Sequence, residues 1–142
     1  MKRFLIGVVV VLFAALGYGI YAVHHYVTEV VPNAYAVEWV ASMVIQHLKT
    51  HDNRWPRSWE DLHEPYETMA APQNYPWSID ELQRRVAVDW SADAEALKTA
   101  KVRDGEAPFR VIWLIDGSES YWQGGDPNQR VFEYLTGRKP NE

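Results

Sequence analysis

The sequence predicts an α+β fold: a single N-terminal transmembrane helix, a long amphipathic helix, and a small antiparallel sheet with short helices. Three observations predict it. Phe4–Val23 carries no charge, and at about 1.5 Å per residue a helix of that length covers roughly 30 Å, the depth of a bilayer's hydrocarbon core. Residues 34–49 space their apolar side chains as a helix does. Phe109–Ile115 is a β-branched and aromatic run closed by Asp116-Gly117, the pattern of a strand and its turn. The expected domains are a cytoplasmic N-terminus at 1–3, the span at 4–23, a juxtamembrane linker at 24–33 and an extracytoplasmic α+β domain at 34–142.

Lys2 and Arg3 precede the span, so the positive-inside rule places the N-terminus in the cytoplasm. Tyr18, Tyr21 and Tyr26, with His24 and His25, then fall near the far interface, where amphipathic rings are favoured. The alternative is a cleaved signal peptide with its small-x-small site at Gly17-Tyr18-Gly19. Ala15 and Gly19 form a small-xxx-small pair that lets two helices approach closely.

Pro32 lacks a backbone donor and interrupts the helix, and Asn33 is placed to cap a new start. From 34 to 50, Ala36, Val40, Val44 and Leu48 form one stripe, widened by Val37, Met43 and Ile45. Ser58 and Asp61 approximate a capping box for a short helix at 59–63, which Pro65 stops. Residues 64–77 read as loop. Ser78-Ile79-Asp80-Glu81 is a fuller capping box and opens a helix to about Arg85. Residues 85–90 read as a strand, and Asp93 precedes a short helix through about Ala100. Asp116-Gly117 turns the 109–115 strand, and Glu119–Gln123 is expected to return as its hairpin partner. Asp126 as N-cap, Pro127 at the first helical position and Gly137 beyond the end delimit a last helix at 127–136. Val131, Phe132 and Leu135 are its expected buried side. The alternative for Val131–Leu135 is a strand.

The chain has 14 Lys and Arg against 19 Asp and Glu, a net charge of −5. Nucleic-acid binding rests on neutralising phosphates, so the acidic balance argues against it. There are no cysteines, which excludes disulfides and thiolate chemistry. Seven tryptophans, all beyond the apolar stretch, give one small domain a large aromatic share.

The order of apolar helix, proline break, amphipathic continuation, turn and small sheet resembles a type IV pilin or pseudopilin. The junction from His51 to Leu62, with Trp55-Pro56 and Leu62, resembles the connector that follows that family's long helix. The likeness covers residues 4–62 in outline. It implies a subunit whose N-terminal helix packs against neighbours in a filament or secretion apparatus. Gly7 is followed by Val8 rather than Phe, and Phe4–Val23 holds no carboxylate. No functional residue of the family therefore carries over.

His47 and His51 stand at i, i+4, a spacing that puts two imidazoles on one helix face for a metal, with His63 and Asp52 as further candidate ligands. The competing reading is a solvated helix end, where histidine complements the dipole. Trp55, Trp59 and Trp122 are candidate interaction residues, able to stack on sugars or partner surfaces. The competing reading is core packing. Asp89, Asp93 and Glu95, and Asp116 with Glu119, are carboxylate groups of the kind used in acid–base work or calcium binding, without an EF-hand pattern. Asp93 and Asp116 already have cap and turn roles. Ser118 and Ser120 suggest no triad, and Gly124-Gly125-Asp126-Pro127 lacks the lysine of a phosphate loop.

No cofactor, bound metal or catalytic set is therefore expected. The expected function is a membrane-anchored, non-catalytic binding or assembly subunit of an envelope complex. Its partners would be the membrane and envelope proteins or further copies of itself, with no nucleic acid. One alternative is a pilin-like filament or secretion subunit. Another is a glycan-directed hydrolase, which requires two converging carboxylates or a His–carboxylate pair.

Overall fold

The computed structural model describes residues 2–73, 75–101, 107–119 and 125–137. The chain divides into two compact units, Met1–Pro32 and Asn33–Glu142. The first holds helix α1, Lys2–His25, followed by a π-helical turn at Tyr26–Val30. Val31 N–H donates to Tyr26 O, the wide i−5 bond of such a turn. Pro32 supplies no N–H to the Thr28 carbonyl, which loosens the α-helical ladder here.

Among the described residues no helix is long and apolar enough to cross a membrane. This corrects the expected single-pass transmembrane helix. The cytoplasmic N-terminus and extracytoplasmic domain deduced from that helix lose their support with it.

The second unit is built around helix α2, Val31–Thr50, whose buried face comprises Ala36, Val37, Val40, Ala41, Met43, Val44 and Leu48. Pro32 lies within the helix rather than before it. Asn33 consequently caps nothing and serves as a tertiary bridge. Its Nδ2 donates to Asp116 Oδ2 at 2.8 Å, and its Oδ1 accepts from Arg85 Nη1 at 2.8 Å.

After α2 the chain makes a 3-10 turn at Trp59–Leu62 and continues into α3, His63–Gln73. The expected stop at Pro65 and loop at 64–77 are thus corrected. Pro65 occupies the first turn of α3, where a backbone donor is dispensable, and Pro72 lies in the last. Ser58 makes no side-chain cap. Asp61, its expected partner, accepts from Arg57 N and Arg57 Nε at 2.9 and 3.1 Å.

Helix α4, Ile79–Arg85, opens with the complete Ser78–Glu81 capping box. Strand β1, Val86–Val88, pairs antiparallel with β2, Ile112–Leu114, in the register Val86–Leu114, Ala87–Trp113, Val88–Ile112. Between them lies α5, Ala94–Thr99, capped by Asp93. Strand β2 is shorter than the 109–115 run because Asn128 occupies its outer edge. Val111 N and Ile112 N both donate to Asn128 Oδ1, at 2.8 and 2.9 Å. The expected return strand at Glu119–Gln123 falls largely outside the described residues.

Helix α6, Pro127–Thr136, has the predicted Asp126 cap, first-turn proline and left-handed Gly137 at φ 67°. Val131, Phe132 and Leu135 are buried as expected, and Val131 and Leu135 join the buried residues of α2, α4, β1 and β2 in the core.

Candidate functional site

The end of α2 and the chain that follows it shape a cleft of about 580 Å³, lined by His47, His51 and Trp55 and by Asp93 and Glu95 at the start of α5. His47 continues the buried stripe of α2, one turn beyond Val44, and is 5% exposed. Its Nδ1 lies 3.0 Å from the carbonyl of Asp61. That carbonyl is available because the residue four positions later is Pro65, which has no N–H to offer it. A carbonyl only accepts, so His47 Nδ1 carries hydrogen and Nε2 is the proton acceptor of the neutral ring.

His51 stacks on His47 with ring centroids 4.1 Å apart and planes 11° from parallel. Lone pairs lie in the ring planes, so those of parallel stacked rings do not converge on one ion. Zinc requires nitrogens about 2.0–2.1 Å from a shared centre. Among the described residues no group of three or more His, Asp or Glu side chains is arranged to hold a metal. His63, the suggested third ligand, instead lies 4.0 Å from Glu60 Oε2.

The turn after α2 places Asp52 and Asn53 in left-handed conformations, φ 54° and 59°. The Asn53 N–H bonds back to Leu48 O at 2.9 Å, the long return bond of a Schellman-type helix end. Asparagine and aspartate tolerate this region better than other non-glycine residues. Arg57 pairs with Asp61 at 3.1 Å. Hydrogen bonds from the Arg57 side chain and amide hold the Asp61 carboxyl below the usual carboxylate range. Burial, and then the adjacent His51, lower the basicity of His47.

The three candidate interaction tryptophans have different placements. Trp55 is 8% exposed and donates from Nε1 to Asp89 O at 2.8 Å, so it pins the cleft to the core and offers little surface. Trp59 is half-buried, edge-on to Trp90 at 5.5 Å. Trp122 lies outside the described residues. The largest described aromatic cluster is elsewhere, where Trp39 stacks on Tyr75 at 3.9 Å with Trp77 beside it.

Of the candidate carboxylates, Asp93 and Glu95 line the cleft together with Asp52 and Asp61, whereas Asp89 and Asp116 are not among its lining residues. Asp89 accepts from Ser91 N and Oγ, Asp93 caps α5, and Asp116 accepts from Ser118 N and Asn33. Sequence reasoning missed Arg54, Arg57 and Asp61 as cleft residues, since only the turn after α2 folds them toward the histidines. The stripe spacing Val40, Val44, His47 was the available signal for burial of His47. In the first unit, Ala15 and Gly19 line an apolar groove of about 670 Å³ with Leu16, Ile20, Val23, His24 and Val27. A Cβ added at Gly19 would meet nothing within 4 Å. Comparisons with protein-family models, with known proteins and with solved structures found no match to this chain.

Proposed function

We propose that this chain is a non-catalytic assembly subunit that self-associates through α1, with the Asn33–Glu142 unit as its folded recognition domain. One observation carries the reading. Val11, Leu12 and Phe13 are consecutive and 67%, 63% and 69% exposed. Successive helical residues point about 100° apart, so apolar surface faces every side of α1. A single neighbour covers one side, whereas several parallel copies cover all of them. The apolar groove at Ala15 and Gly19 supplies a seam where helices can approach closely. The pilin-like order of elements over residues 4–62 supports the same reading, because in that family the N-terminal helices pack together. In the cleft, Asp93 caps α5 and Asp61 is paired with Arg57, commitments that favour binding over hydrolysis.

Photocross-linking tests it. A photoreactive phenylalanine analogue at Ala15 or Gly19 of the full-length chain is expected to give a ladder of dimers, trimers and larger species. Bands no larger than the monomer at both positions would overturn the proposal.

A further inference from the structure

His47 and His51 do more than end a helix. His47 ties α2 to the 3-10 turn through the Asp61 carbonyl, 14 residues along the chain. His51 covers its face, with Nδ1 within 3.1 Å of His47 O and 2.9 Å of Thr50 Oγ1. We propose that this stacked pair is a pH-sensitive latch, in which neutral His47 holds the 54–62 connector against α2 and protonation of His47 releases it, widening the cleft.

The geometry sets how protons enter. His47 Nδ1 is committed to a carbonyl, so its added proton goes to Nε2. A proton there puts a charge on a nearly inaccessible ring whose face is covered by His51 at 4.1 Å, and that ring regains hydration only by leaving its site and with it the Asp61 carbonyl. The surrounding charges do not fully relieve this. Asp61 and Glu64 favour the proton on His47, but Asp61 is already paired with Arg57. Asp52, Asp93 and Glu95 line the cleft together with the cations Arg54 and Arg57, so the local balance is mixed.

The sign follows. His47 is less basic in the folded chain than when unfolded, so the unfolded state binds more protons across the interval between the two values. Its contribution is complete above about 6.5, the ordinary histidine value, and is lost as pH falls from there through the lowered folded value. Asp61, held below the usual carboxylate range, stays ionised over that interval and does not contribute to the change.

The test uses the full-length protein, with histidine ring resonances and backbone amide exchange followed from about pH 8 to 5. The amides of His51, Asn53 and Arg54, which bond to His47 O, Leu48 O and His51 O, report the latch. After correction for intrinsic exchange, their protection is expected to fall by up to about tenfold per pH unit across the interval. His51→Phe keeps a stacked ring without a titratable charge. In that variant the His47 midpoint moves up and the acid-induced loss of protection shrinks. His51→Gln serves as a second variant if phenylalanine disturbs the turn. Unchanged pH dependence in both variants would overturn the proposal, as would wild-type amides that stay protected to pH 5.

Discussion

Asn128 is 2% exposed and bonds to β2 as a neighbouring strand would, accepting from Val111 N and Ile112 N and donating to Ile112 O at 2.9 Å. Asn128→Leu keeps the volume but leaves two buried N–H groups unpaired. It is expected to lower stability by about 2–4 kcal/mol, read from the urea midpoint at unchanged slope. A loss below about 0.5 kcal/mol would mean that other groups satisfy that edge. Nothing local in the sequence marks this role, because Asn128 meets its strand partners from 16 and 17 residues away. Asn33 was misread for the same reason. An asparagine after a proline has the form of a cap, but its partners, Arg85 and Asp116, are distant in sequence. His47 was half legible: the stripe spacing places it inside, while its polar character argues for solvent. The carbonyl freed by Pro65 resolves that conflict.

Elements whose ends are set by contiguous residues were the most legible. Helix α4 begins at the predicted box, with Ser78 N donating to Glu81 Oε2 at 2.8 Å and Glu81 N to Ser78 Oγ at 3.4 Å. Ser78→Ala should cost about 1 kcal/mol in thermal or urea unfolding, with Glu81→Ala costing less than that again in the double variant because the two bonds are reciprocal. Full additivity of the two losses would show that they act separately. Helix α6 was legible in the same way, from Asp126, Pro127 and Gly137. Helix α3 was not, since a proline as the third residue of a helix and one two residues past a short helix look alike in sequence. The preceding 3-10 turn distinguishes them by supplying a start at Trp59. Strand β2 was found but overextended, because β-propensity cannot show that a side chain competes for the same backbone donors.

At the scale of the molecule, the clustered core residues lie between Ala36 and Leu135, and among the described residues none belongs to the Met1–Pro32 unit. A fragment of residues 31–142 keeps all of α2, and with it the buried face on which the other elements pack. Its length is ample for one independent core. The fragment is expected to unfold cooperatively and to retain the near-ultraviolet signature of its buried tryptophans, Trp55 foremost. It should also lose the cross-linked ladder, because the apolar surface of α1 goes with residues 1–30. Circular dichroism and sedimentation on the two chains separate these expectations. A fragment that folds but still associates would place the assembly surface on the Asn33–Glu142 unit instead. One that fails to fold would show that the head depends on α1, contrary to the self-sufficiency of its core. A monomeric, cooperatively folded fragment beside an associating full-length chain would assign association to α1 and leave the histidine cleft as a separate property of the head.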